Sequence, residues 1–173
     1  RMTMKVQWAG LVLVLATGVV SAADMSLKVT LPQLNVAEYH RPYVAVWIEK
    51  PDQQFVANLS VLYDIKKRDN GGTKWLKDLR QWWRKGGRDL QMPVDGVSGA
   101  TRGVGEHVLM FAGKSAPLNT LAPGAYQVVV EVSREMGGRE LVKLPFQWPG
   151  KTTQAVSAKG KEELGAVALQ IKP

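Results

Sequence analysis

The sequence predicts an all-β fold: an immunoglobulin-like antiparallel β-sandwich with one short amphipathic helix inserted. Three observations predict it. Apolar and polar residues alternate in several short runs, as they do in strands with one buried and one wet face. Turn signals recur between those runs, at Lys50-Pro51-Asp52, Asp69-Asn70-Gly71-Gly72, Leu121-Ala122-Pro123-Gly124 and Gly137-Gly138. A single stretch, Lys74 to Lys85, departs from strand periodicity and repeats its apolar residues at three- and four-residue steps. Six or seven short strands with regular turns and one helix fit a sandwich.

The elements follow in order. Leu27, Val29 and Leu31 alternate with Ser26, Lys28 and Thr30, and Pro32 closes the run. Tyr43 to Glu49 is almost wholly apolar, the pattern of a strand buried on both faces. Gln54 to Tyr63 is the next strand, with Phe55, Leu59 and Leu62 as its core side chains. That spacing is irregular and points to a bulge. In Lys74 to Lys85 the residues Trp75, Leu76, Leu79, Trp82 and Trp83 share one face, and Lys74, Lys77, Asp78, Arg80, Gln81, Arg84 and Lys85 fill the other. A helix of about three turns ending at Gly86-Gly87 is predicted, short enough to need tertiary packing. Strands are then predicted at Glu106 to Ala112, at Ala125 to Glu135 and, after a hairpin turn at Gly137-Gly138, at Arg139 to Trp148. Pro149 to Glu163 is polar and reads as a loop with a mobile middle, and Leu164 to Ile171 as the last strand.

The first 23 residues read differently. Arg1 and Lys5 are basic, Trp8 to Val20 is thirteen residues without a charge, and Ser21-Ala22-Ala23 offers small residues at a cleavage position. Basic, apolar, then small is the order of a secretory signal peptide. The apolar run is short for a membrane span, which needs about twenty residues. Residues 24–173 are then one domain, long enough for a hydrophobic core. Its basic residues number 21 against 15 acidic, a net charge of +6. That balance favours acidic partners or proximity to an anionic membrane surface, besides simple solubility. Nucleic acid is not an expected partner of an exported chain, and no nucleic-acid motif is present. The chain has no cysteine, which excludes disulfides, thiolate metal sites and thiol redox chemistry. A bacterial periplasm, across the inner membrane of a Gram-negative cell, suits these features.

The most informative stretch is Asp95-Gly96-Val97-Ser98-Gly99-Ala100-Thr101. It fits Asp-x-x-Ser/Thr-Gly-Ala-Thr/Ser and resembles the modification site of bacterial proteins that carry FMN covalently on a threonine. The resemblance implies a flavin transferase as partner, which draws FMN from FAD and esterifies its phosphate to the hydroxyl of Thr101. The residue types suit that chemistry. Thr101 supplies the hydroxyl, while Gly99 and Ala100 leave room for a transferase to approach the backbone. Asp95 and Ser98 can hydrogen-bond nearby backbone groups and hold the loop. Arg102 stands next to the acceptor and could pair with the phosphodiester. The alternative is a polar loop between strands with no chemistry.

A second resemblance covers nearly all of residues 24–173. It is carried by Arg41-Pro42-Tyr43-Val44-Ala45-Val46-Trp47, by Lys74-Trp75-Leu76 with Trp82-Trp83-Arg84, by Ser98-Gly99-Ala100-Thr101-Arg102, and by Pro123-Gly124-x-Tyr126. Together these are similar to the predicted periplasmic proteins of domain of unknown function 2271. The resemblance implies export, and by context a PepSY-type membrane redox protein as a partner in electron transfer.

Other constellations are sparse. His40 and His107 have no metal-like spacing. Ser98, His107 and Asp95 are the residue types of a triad but lack its strand–elbow–helix setting. Glu162-Glu163, and Glu135 with Glu140, read as surface charges. Among the aromatics, Trp47 and Trp75 read as core. Trp82 and Trp83 also read as core, although adjacent residues cannot both face fully inward on a short helix; the alternative for any of the four is a platform that stacks on an isoalloxazine ring. Two functions stay open. One is an electron carrier with covalent FMN on Thr101, itself no catalyst. The other is a cofactor-free binding module that docks partners through the basic, aromatic segment 74–85, with Arg80, Trp82, Trp83 and Arg84.

Overall fold

The computed structural model describes residues 23–173, so the expected signal peptide, residues 1–23, lies outside the described residues except for Ala23. Nine strands follow one another there: β1 (Asp24–Leu31), β2 (Tyr43–Glu49), β3 (Phe55–Tyr63), β4 (Ser98–Ala100), β5 (Gly105–Phe111), β6 (Gly124–Ser133), β7 (Arg139–Trp148), β8 (Gln154–Lys159) and β9 (Ala166–Lys172). They form a sandwich of a four-stranded sheet, ordered β5-β1-β9-β8, and a five-stranded sheet, ordered β4-β3-β2-β6-β7. Pairings are antiparallel, as predicted, except that β4 lies parallel to β3.

Alternation places the core between the sheets. Met25, Leu27, Val29 and Leu31 of β1, with Val167, Leu169 and Ile171 of the neighbouring β9, point inward against Val128, Val130 and Val132 of β6 and Leu144 and Phe146 of β7. Each such side chain, fully buried, contributes about 1.5–3 kcal/mol relative to exposure. β2 is at the centre of its sheet, paired with β3 on one side and β6 on the other. Its residues from Val44 to Glu49 are all buried, as its near-continuous apolar run predicts. The irregular spacing in β3 is also accounted for. The register against β2 shifts between Val46 and Trp47 and again between Ile48 and Glu49. After the shift Leu59 and Leu62 both reach the inter-sheet core, while Val61 and Tyr63 face the other way.

The outer face of the five-stranded sheet carries a second core. Ala45, Trp47, Val61, Tyr63 and Val129 pack there against Leu76, Leu79 and Trp82. This covering segment corrects the expected three-turn helix. A 3₁₀ stretch, Arg68–Asp78, breaks at Leu79 (φ −75°, ψ 74°) and is followed by one α turn, α1 (Arg80–Trp82), and a π turn, Trp83–Gly87. Helix propensities differ by only a few tenths of a kcal/mol per residue. Burying Leu76, Leu79 and Trp82 is worth several-fold more, so the sheet beneath dictates the path. Within the 3₁₀ stretch Asp69 and Asn70 have positive φ (54° and 55°), the left-handed geometry expected of that turn signal. The segment ends at Gly86-Gly87, as expected, and packing explains the glycines there. A β-carbon on Gly86 would meet the Phe55 ring at 2.3 Å, and one on Gly87 would meet Trp82 at 2.6 Å. Both are there for close approach.

Two further expectations are corrected. The loop predicted over Pro149 to Glu163 contains β8, which pairs with β9 from Gln154↔Ile171 to Lys159↔Ala166. The motif around Ser98 is not a plain loop, because Ser98–Ala100 is strand β4 at the sheet edge.

Candidate functional site

β4 fixes the position of Thr101. Val61, Leu62 and Tyr63 of β3 pair with Ser98, Gly99 and Ala100, and the Thr101 N–H donates to Tyr63 O at 3.0 Å. Gly99 packs closely on β3: a β-carbon there would stand 3.0 Å from Leu62 Cδ2, which would have to shift slightly. Ser98 organises the approach, as expected of it, by accepting the Val94 N–H on Oγ at 2.8 Å. Its own N–H closes the turn onto Val94 O at 2.9 Å. Asp95, the other expected organiser, stands exposed on this turn, as does Arg102 just past the strand.

Because β4 runs parallel to β3 and β3 antiparallel to β2, the end of β4 lies beside the end of β3 and the start of β2. There Thr101 opens into a cavity of about 380 Å³ lined by Tyr39, His40, Arg41, Tyr43, Lys67 and Trp75, with Asp64, Asp78, Ser133 and Glu135. A cavity of this size lies within the range of small-molecule sites, which run from about 300 to 1,000 Å³. The Tyr43 hydroxyl is fixed, donating to Gly72 O at 2.8 Å. The Tyr43 ring meets Tyr63 edge to face at 6.2 Å. Lys67 Nζ and Lys74 Nζ sit 4.1 and 4.8 Å from the centre of the Trp75 ring, a cation–π arrangement. His40 stands 3.3 Å from Glu38 and 3.6 Å from Glu135. Burial pushes the Tyr39 and Tyr43 phenols above their ordinary pKa, so both are neutral donors near neutral pH. The Tyr63 hydroxyl is buried without a hydrogen-bond partner. Burial raises its pKa, and the neighbouring Ser98 hydroxyl only partly offsets that. From the cavity a groove of about 730 Å³ continues past shared walls at Trp75, Asp78, Ser133 and Glu135 to Arg80, Met136 and Arg139.

Among the described residues three carboxylates are buried away from the cavity lining, and sequence patterns reveal none of them. Glu131 of β6 accepts the N–H groups of Gln81 at 3.1 Å and Trp82 at 2.9 Å, and lies 3.3 Å from Arg139. It caps the exposed amides of α1. Glu49 at the end of β2 accepts from Trp47 Nε1, Lys85 Nζ, Gln127 Nε2 and Lys143 Nζ at 2.7–3.2 Å. Burial pulls its pKa up, and these donors outweigh that and hold it below the ordinary value. Glu163, read from sequence as a surface charge, is instead buried and paired with Arg134.

The aromatic readings divide. Trp47 is core, as expected. Trp75 is not fully buried and lines the cavity instead. Trp82 is 0 % exposed, and its Nε1 donates to Asn58 Oδ1 at 2.7 Å. It can neither dock a partner nor stack on a ligand, which corrects its place in the docking set. Trp83 is half-buried against it at 6.2 Å. Arg80 and Arg84 are exposed. The triad residue types are occupied by backbone: His107 Nε2 bonds Gly103 O at 2.6 Å, and Ser98 Oγ holds Val94. Among the described residues no helix is long and apolar enough to cross a membrane.

Comparison with known proteins adds one finding. A family model described as predicted periplasmic protein (DUF2271) matches residues 24–166. No curated protein and no solved structure matches the chain.

Proposed function

Since the chain belongs to the DUF2271 family of predicted periplasmic proteins, we propose that it is a periplasmic electron carrier with FMN joined through its phosphate to Thr101. One observation carries the reading. Thr101, singled out by its motif, lines a cavity walled by Trp75, Tyr43 and Tyr39 and bordered by Arg41 and Lys67. A threonine in a featureless surface loop would satisfy the motif equally well and would offer the flavin nothing.

The residues present suit the group. Thr101 offers the hydroxyl, the aromatic walls offer contact to a planar ring, and the cations complement a phosphate. Lys67 and Lys74 already lie over Trp75, so a ring that stacks on Trp75 takes the place of a lysine. The isoalloxazine would supply redox chemistry that the side chains lack. Attachment joins Thr101 Oγ1 to the flavin-side phosphorus of FAD. It breaks the bond from that phosphorus to the bridging oxygen, releases AMP, and passes the hydroxyl proton to the leaving phosphate or to water. This reading requires a flavin transferase as partner, and the family resemblance implies a PepSY-type membrane redox protein as the other.

The test is intact mass and in-gel fluorescence of the protein after periplasmic co-expression with a bacterial flavin transferase. The reading expects a gain of one FMN less water and fluorescence that survives denaturation, both absent in Thr101→Ala. An unmodified protein beside a labelled control flavoprotein would leave the cofactor-free binding module, with the exposed Arg80 and Arg84 in place of the buried Trp82.

A further inference from the structure

The motif's own cation is Arg102, but the fold brings a different one to Thr101. We infer that Arg41 is the residue that binds the phosphate carried by Thr101; the inference rests on the FMN reading above. Arg41 immediately precedes Pro42 and β2. The parallel pairing of β4 sets Thr101 at that same end of the sheet, with Tyr63 between. Had β4 run antiparallel, its threonine would lie at the far end of β3.

Three observations converge on Arg41. It lines the cavity that Thr101 lines, and Arg102 does not. Its guanidinium lies across the backbone two residues beyond the acceptor: a β-carbon on Gly103 would stand 3.8 Å from Nε and 3.9 Å from Cζ and Nη2. Its charge reaches the neighbouring Tyr39, where it opposes the upward effect of burial on the phenol. The guanidinium is also uncommitted. Among the described residues no carboxylate lies within ion-pairing distance of it, in a molecule where Arg134 and Arg139 are both paired.

The chemistry selects arginine. A phosphodiester keeps one negative charge shared by two non-bridging oxygens, which match the two parallel N–H groups of a guanidinium. The same contact would steady the pyrophosphate of FAD during transfer.

The experiment uses the full chain with purified bacterial flavin transferase and FAD, comparing wild type, Arg41→Ala, Arg41→Gln, Arg41→Lys and Arg102→Ala. Initial labelling rates come from intact mass, and the phosphorus NMR shift of the labelled proteins reports the phosphodiester's surroundings. Expected is a labelling rate roughly tenfold or more lower in Arg41→Ala and Arg41→Gln, partial recovery in Arg41→Lys, and wild-type behaviour in Arg102→Ala. The phosphorus resonance should move in the Arg41 variants alone. Arg41 is exposed, so thermal unfolding should be unchanged, and Arg41→Gln supplies a variant of similar shape. Labelling of the Arg41 variants at the wild-type rate with an unmoved resonance would overturn the inference and leave the FMN reading standing. Equal impairment by Arg102→Ala would also overturn it. A wild-type chain left unlabelled beside a labelled control would remove the reading and the inference together.

Discussion

Arg134 grips both carboxylate oxygens of Glu163, Nε to Oε2 at 2.9 Å and Nη2 to Oε1 at 3.0 Å, with each residue only 7 % exposed. Arg134 follows β6 of the five-stranded sheet, and Glu163 lies in the connection from β8 to β9 of the four-stranded one. The pair therefore ties the two layers at one end. The Gly138 N–H adds a third bond to Glu163 Oε1 at 2.9 Å. Gly137 lies so close that a β-carbon there would stand 2.4 Å from Arg134 Cζ. The Gly137-Gly138 turn thus serves the ion pair as well as the hairpin.

Removing one member should leave the other charged and buried. Glu163→Gln is expected to lower unfolding free energy by about 3–5 kcal/mol, measured by urea denaturation near pH 7. The pH dependence has a definite sign. Burial tends to raise the Glu163 pKa, but Arg134 and the Gly138 amide outweigh it and hold the pKa below the ordinary carboxyl value of 4.5. A lowered folded pKa means stability that is complete above about pH 4.5 and falls as pH drops through the folded value. The gap between wild type and Glu163→Gln should narrow on acidification. A gap constant from neutral to strongly acid pH would mean that the pair does not titrate with folding.

Glu131 holds the short α1 turn where no capping side chain of its own segment does. Glu131→Ala should cost about 1–2 kcal/mol for the two amides released, with Arg139 losing its partner as well. Because Trp75 and the 3₁₀ stretch lie just before α1, the change should also loosen the cavity wall. Hydrogen exchange at the Gln81 and Trp82 amides should accelerate before that of β2. Unchanged protection at those two amides would show that packing on the sheet suffices to hold the turn.

The sandwich was legible because its large strands obey simple periodicities. β2 and β7 have their predicted ends, and the irregular β3 pattern correctly signals its register shifts. β8 escaped because Gln-Ala-Val-Ser-Ala-Lys has one large apolar residue, Val156, and gains its place by pairing with β9. β4 escaped for a related reason: Ser-Gly-Ala has no strand-forming side chain, and its bonds come from β3. For the segment 74–85, periodicity told which side chains are buried more reliably than which helix they make. Leu76, Leu79 and Trp82 face the sheet as a helix would place them, but across a break. Thr101, the attachment residue proposed above, was legible as part of a motif. Its cavity was not, since Arg41, Tyr43, Lys67, Trp75 and Thr101 come from separate stretches that only the sheet order assembles. Nor could Glu49 be read, whose Lys85 and Gln127 partners stand 36 and 78 residues away.

Gly99 tests whether the edge strand presents the threonine. In Gly99→Val the new side chain would press on Leu62, already 3.0 Å from a β-carbon. Overpacking of this kind costs about 1–3 kcal/mol, and here it is relieved by lifting β4 off β3. The expected result is a modest fall in melting temperature together with a marked fall in flavin labelling, although the acceptor hydroxyl is intact. Full labelling at the wild-type rate would show that the transferase reads the motif as an extended peptide, independent of its pairing with β3.

Trp75 separates attachment from accommodation. Its ring lines the cavity but is distant in sequence from the motif, so it should not matter to esterification of Thr101. It should matter to the ring that follows. Tryptophan in contact with an isoalloxazine quenches its emission, whereas the aliphatic side chain of a Trp75→Leu variant could only pack against it. The variant should therefore gain the same mass as wild type and fluoresce more strongly while folded, with the two proteins becoming equal after denaturation. Lys67 and Lys74 would lose their cation–π partner at the same time, at a cost of about 0.5–1 kcal/mol each at exposed sites, too little to unfold the domain. Equal fluorescence in the folded proteins would place the flavin ring outside the cavity, tethered at Thr101 and free to swing towards a partner.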